Sequence, residues 1–399
     1  MILTSRFALL YAAQCVALLG TGLLTIALAL LAFDLAGAEG GLVLGFALTL
    51  KMIAYVTLAP LANAFLGRLP RRGLLITLDL IRAAVALILP FVTEIWQIYA
   101  LVFVLQASSA AFTPAFQATI PDILPDEDAY TKALSLTRLA QEIENIASPA
   151  LAGALLLVIP STGLFAGTAL GFLGSALLIW RANPPRAGEA PAATTWQRIF
   201  AGTRCYLAAP ELRGLLALTM AAAAGSAMII VNTAVIVGSL FGRGKTEVAL
   251  ATGAFGLGAA AAALVLPRAL ALVSDRRLMI AAAAGLAVTL IFGSILIALA
   301  PAFADAVWSG YLLWMMVTGF CYSAILTPTG RVVVRNSGTA GKPALFAAQF
   351  ALSHACWLIT YPLAGWLGSY AGMTTAAVLL GLLAAAATLA ATRLWTVRD

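Results

Sequence analysis

Long apolar runs separated by short polar breaks fill the chain almost from end to end. Twelve runs stand out: 7–33, 42–66, 73–93, 96–118, 133–158 and 162–180, then 214–240, 247–270, 278–300, 307–329, 343–368 and 373–394. Each suits an α-helix crossing a bilayer, which takes roughly 17–25 residues, whereas a spanning strand needs only about 9–11 alternating positions. The pattern predicts an all-α membrane protein with twelve transmembrane helices. One run departs from the rest. Between 133 and 158, Arg138, Glu142 and Asn145 recur at spacings of four and three, which sets them on one helical face.

Composition agrees with the pattern. Hydrophobic residues make up 62% and charged residues 10%, with a mean hydropathy of +1.01, where soluble domains are about a quarter charged. The formal charge of +7 follows from topology rather than from a nucleic-acid surface, since no basic run interleaved with aromatics occurs. If both termini are cytoplasmic, all but Lys51, Arg243 and Lys245 of the 23 Lys and Arg fall in or beside cytoplasmic segments. That asymmetry predicts a multi-pass protein of a bacterial inner (plasma) membrane, oriented by its positive charges. Cys15, Cys205, Cys321 and Cys356 show no Cys-x-x-Cys spacing, so neither a disulfide framework nor a zinc site is expected. The first run is too long for a signal-peptide core and is read as an uncleaved span.

The longest polar stretch, 181–213, divides the chain into halves at 1–180 and 214–399. It reads as a cytoplasmic linker with a short surface helix near 196–207. The halves echo each other. Thr113-Pro114 precedes Pro149 as Thr327-Pro328 precedes Pro362, and Ser-Pro-Ala-Leu-Ala-Gly at 148–153 resembles Tyr-Pro-Leu-Ala-Gly at 361–365. Two six-helix repeats related by an axis along the membrane normal are expected.

Twelve spans, this repeat, a long central loop and an Arg-rich loop after the second span together resemble the major facilitator superfamily. That resemblance implies alternating access around a midplane cavity. The family's loop motif, roughly Gly-x-x-x-Asp-Arg-x-x-Arg-Arg, is matched here by Arg68, Arg71 and Arg72, while Asn63 and Gly67 stand at its first glycine and its aspartate. Asp79 and Arg82 in the third span are candidates for a replacement charge lock at this cytoplasmic gate. The stretch from Phe112 to Asp122, followed by Ala133 to Leu136, is similar to the drug and metal efflux branch that includes macrolide exporters. Residues 31–37, Lys51 to Tyr55 and 112–138 are similar to bacterial nickel-resistance permeases. The resemblance implies a proton-coupled exporter, an antiporter, with a divalent metal such as nickel as first substrate and an amphipathic organic compound of macrolide or drug type as the alternative.

Ionisable groups inside spans cost roughly 2.5–3.5 kcal/mol each and are functional candidates by default. Here they are Lys51, Glu142, Glu144 and His354, the single histidine. Glu142 is the candidate proton-carrying or cation-binding carboxylate, with Asn145 beside it. The bland alternative is a structural pair with Arg138 at i, i+4. Glu144 points roughly 160° away around the helix. His354 is a candidate proton relay or metal ligand, with Glu142 as the other tentative ligand, or else a helix-to-helix hydrogen bond. Lys51 is expected to pair with Glu142, to bind an anionic group or to snorkel. Gln14, Tyr55, Gln106, Asn232, Tyr322 and Gln349 could add neutral polar contacts, though each is more often a helix-to-helix hydrogen bond. Gly253 to Gly258 lacks the Gly-Lys-Thr of a phosphate loop and reads as small-residue packing. Nothing suggests hydrolysis, an enzyme or a cofactor. The expected partners are a small molecule or ion, protons and the lipid bilayer, with the chain acting as a monomer.

Overall fold

A computed structural model of the protein describes residues 5–36, 49–59, 61–62, 69–156, 158–185, 195–337 and 341–395. Helices make up nearly all of these residues, and no strand occurs among them. In chain order they are α1 (Ser5–Ala36), α2 (Thr49–Ala59), α3 (Arg71–Ile88), α4 (Ile95–Ile123), α5 (Glu127–Leu156), α6 (Gly163–Ala182) and α7 (Thr195–Ala208). Then follow α8 (Pro210–Val235), α9 (Lys245–Leu272), α10 (Asp275–Leu326), α11 (Thr329–Arg335), α12 (Lys342–Tyr370) and α13 (Met373–Leu394). Helix is the form that satisfies every backbone group within one apolar segment, which lipid demands. Among the described residues nine helical stretches are long and apolar enough to cross a membrane; α2 and α5 are not counted in that set. Leu170, Leu264, Val288 and Leu389 are more than 60% exposed, an apolar surface that suits lipid rather than water.

Local chemistry sets the ends. Glu94 and Gln97 form a capping box at the start of α4, and Asp126 accepts the Ala129 N–H at 2.8 Å at the start of α5. Asn183, left-handed at φ 44°, closes α6. The helix expected near 196–207 is α7. Thr-Pro behaves differently in its two copies, since Pro114 lies inside α4 whereas Pro328 caps α11 after α10 has ended.

Helix α10 has 52 residues, which as a straight rod would run about 78 Å, more than twice the hydrocarbon core. It is not straight. Trp314 Nε1–H donates to the Thr289 carbonyl at 2.6 Å, so residues 25 apart lie side by side and the chain must reverse between them. The backbone leaves helical geometry at Phe303 (φ −135°, ψ 38°), just after Pro301. The element is a helical hairpin whose arms correspond to the runs 278–300 and 307–329.

The chain divides into two compact units. The first comprises Met1–Ala133, Ile143–Cys205 and Ser337–His354; the second comprises Leu134–Glu142, Tyr206–Asn336 and Ala355–Asp399. In the first, α1 packs on α6, and α3 packs on both α4 and α6. Leu24 and Leu28 of α1 meet Val85 of α3, Ile98 and Val102 of α4, and Phe165 and Phe172 of α6 in one buried cluster. In the second unit α9 packs on α10, and α13 packs on α8 and α10. The α9–α10 seam is backbone on backbone, because a Cβ on Gly258 would overlap the Met316 carbonyl and one on Gly319 the Phe255 carbonyl. Gly258→Ala is therefore expected to force the helices apart and to lower the melting temperature in detergent. Gly253→Ala, whose methyl meets open space, serves as the matched control and should hold or slightly raise it.

Candidate functional site

Lys51 and Tyr55 stand one helical turn apart on α2, and Phe350 and His354 stand one turn apart on α12, so each pair shares a face of its helix. The two faces interlock. The Tyr55 ring lies 4.8 Å from Phe350 and 4.7 Å, edge-on, from His354, and Phe350 and His354 are themselves 4.2 Å apart. Aromatic groups at these separations hold one another by area burial and by their quadrupoles. From α4, Gln106 Oε1 accepts the Tyr55 hydroxyl at 3.0 Å. Ala59 and Ala110 complete an apolar floor with Phe350, and Leu58 packs against it. His354 Nδ1 is 2.7 Å from the Phe350 carbonyl. A carbonyl can only accept, so Nδ1 carries a proton. Lys51 Nζ lies 5.6 Å from the centre of the Tyr55 ring and near enough to His354 for their charges to interact.

Other expected site residues lie elsewhere. Asn232 is buried and donates to the Ala364 carbonyl at 3.1 Å and toward Met228 Sδ at 3.5 Å, a bond between α8 and α12 in the second unit. Tyr322 meets Phe255 there. Gln14 has a buried Oε1 with no partner among the described residues. The side chains of Arg138, Glu142 and Asn145 lie outside the described residues, so the polar face of α5 stays an expectation. Its neighbour Glu144 is placed: Ser148 Oγ donates to it at 3.4 Å, and the two side chains close against Gly22 of α1. Ser108, Ser109, Thr113 and Thr119 of α4 return their hydroxyls to carbonyls four residues back.

For the metal reading, no group of three His, Cys, Asp or Glu side chains that could hold an ion occurs among the described residues. Cys356, two residues from His354, sits beside Tyr206 of α7 in the second unit; burial holds that phenol well above its usual range. Among the described residues, the rings of Tyr55 and Phe350 pack against His354.

The Arg-rich segment resolves into three separate contacts. Arg71 is buried and donates to the Asp122 carboxylate and, at 3.3 Å, to the Ala118 carbonyl; Lys342 takes the other Asp122 oxygen at 2.7 Å. Arg72 turns to Asn183 at 3.3 Å and lies over the Trp180 ring at 5.3 Å. Arg68 lies outside the described residues. Asp79 and Arg82, expected as the replacement lock of the gate, are instead buried inside the helix packing and paired with each other. The Arg82 guanidinium is sandwiched between Phe112 at 4.1 Å and Phe172 at 4.6 Å. The acid that Arg71 needs is Asp122, which closes the stretch Phe112 to Asp122 in the sequence.

The second unit repeats the device with the charges exchanged. Asp275, 5% exposed at the start of α10, is 2.9 Å from Arg335 and 3.3 Å from Arg331. Arg335 also donates two bonds to Glu211, which receives Asn336 as well. In the first unit the cation opens the helix and the acid ends its neighbour. In the second the acid comes first.

A family model described as the Major Facilitator Superfamily matches residues 10–230. The chain belongs to the Major Facilitator Superfamily. Among curated relatives, macrolide efflux protein A of Streptococcus pyogenes is 26% identical over 189 residues, 46% of this chain and 46% of that protein. Macrolide efflux protein A of Enterococcus faecalis is 27% identical over 156 residues, 37% of this chain and 48% of that one. An uncharacterized MFS-type transporter of Bacillus subtilis is 28% identical over 125 residues, 31% and 30% of the two chains. The matches span about half the length of these relatives, or less. Among solved structures, the human organic anion transporter MFSD10 (TETRAN) superposes with a TM-score of 0.79 at 14% identity, over 97% of this chain and 100% of that one. The transporter FucP in its outward conformation gives 0.72 at 14%, over 99% of each. These likenesses establish the facilitator fold over nearly the whole chain.

Facilitators carry small molecules across membranes, and two residues of this one escaped sequence reasoning. Phe350 is an ordinary phenylalanine in an apolar run, and only the helix packing sets it against Tyr55. Asp122 stood in a stretch noted for its resemblance, but nothing in the text paired it with Arg71 or Lys342. Nickel finds no support in the relatives named here or among the described residues.

Proposed function

We propose that this facilitator exports an amphipathic organic molecule by alternating access, in exchange for protons, from a bacterial inner membrane. The observation that carries the reading is the interlock of Tyr55 with Phe350 and His354. It offers an apolar aromatic wall edged by a phenol, an amide and one ammonium, which suits a ligand with a large apolar body and few polar groups. The macrolide exporters among the relatives support both the direction and the class of cargo. Its halves, 1–180 and 214–399, rock about the linker 181–213, both termini stay cytoplasmic, and the chain acts as a monomer. Glu142 and His354 are the proposed coupling groups, with Arg138 and Asn145 beside Glu142.

In bacterial cells stripped of their own efflux pumps, expression of the full chain should lower accumulation of amphipathic dyes. Tyr55→Ala should return accumulation to the level of empty cells, because it removes the wall and orphans Gln106 together. Cells that instead gain nickel tolerance while dye accumulation stays the same would overturn the choice of substrate.

A further inference from the structure

We infer that the cargo of the α2–α4–α12 site is an amphipathic organic anion. The inference rests on the export reading above and adds to it the sign of the charge. The polar atoms that the cluster offers a ligand are mostly donors. Tyr55 spends its hydroxyl proton on Gln106 Oε1, which leaves the amide N–H groups of Gln106 as donors. His354 spends Nδ1–H on the Phe350 carbonyl. Lys51 brings three ammonium N–H donors, makes no ion pair among the described residues and lies over the Tyr55 ring.

Charge points the same way. Arg82 also interacts electrostatically with Tyr55, but Asp79 already neutralises it. Among the described residues Lys51 is therefore the cation of the cluster with no acid paired to it. A ligand that lays its rings on Phe350 and Tyr55 brings its polar end within reach of that ammonium. A carboxylate or sulfonate there gains a charge-assisted hydrogen bond, while a substituted ammonium meets a like charge with no described acid to offset it. A half-buried lysine inside an apolar span is costly to keep, and an anionic cargo supplies the counter-charge on each cycle.

The test uses the purified full chain in proteoliposomes, with fluorescein as the anionic probe and rhodamine 6G as the cationic one, both read as saturable counterflow. The protein is expected to carry fluorescein at least tenfold faster than rhodamine 6G. Lys51→Glu should reverse the order, with fluorescein flux falling at least tenfold and rhodamine flux rising, a gain that a misfolded variant cannot give. Rhodamine carried in preference by the parent protein, or a fluorescein flux indifferent to Lys51→Glu, would overturn the anion inference while leaving organic export in place. Counterflow of nickel with neither dye carried would overturn the export reading itself.

Discussion

Arg82→Ala is expected to leave little folded protein. The substitution strands Asp79, which is fully buried, without its counter-charge, and it empties the slot between Phe112 and Phe172 that the guanidinium fills. Breaking a buried pair from one side costs about 3–5 kcal/mol, a large share of the roughly 5–15 kcal/mol that holds a typical domain together. Removing both charges is another matter. Asp79→Leu with Arg82→Met keeps the volume and leaves nothing unpaired, so the double variant should melt close to the parent protein. Melting in detergent, followed by tryptophan fluorescence and by the monodisperse fraction, separates the cases. Equal melting of the single variant and the parent would show that neither the ion pair nor the sandwich holds α3, α4 and α6 together.

Asp275→Ala should come second in severity. The carboxylate sits between Arg331 and Arg335, and without it two guanidiniums lose a shared partner while Glu211 still serves Arg335. The loss is expected to approach the same 3–5 kcal/mol, moderated by that remaining acid. Transport should fall with stability, since the start of α10 and the helix α11 are tied through this one carboxylate. Adding Arg331→Met to the Asp275→Ala background should recover part of the melting temperature. A double-mutant cycle with no coupling between the two positions would refute the contact.

Much of this organisation could be read from the chain beforehand, and the reasons for success and failure are physical. Spans are legible because lipid forces every backbone group into helix, so an apolar run of sufficient length has few alternatives. Lys51, Tyr55, Gln106 and His354 stood out because polar groups are rare in such runs, and the structure brings these four together. Rarity marks a residue without stating its use. Asn232 stood out equally and serves a bond between helices. Asp79 and Arg82 belonged by sequence to a gate, yet three residues on one helix suffice to pair them with each other and to turn both into the packed interior. Phe350 and Asp122 went unassigned because their roles come from partners far away in the chain, and no local pattern records those.

The reversal at Phe303 bears on how the protein is made as well as on how it stands. Two membrane-length arms share a connection too short to let either wait in water while the other enters lipid. The Trp314-to-Thr289 bond also requires both arms to be present before it can close. Residues 275–326 are therefore expected to settle in the bilayer as one hairpin, because the seam between the arms forms only when both are in place.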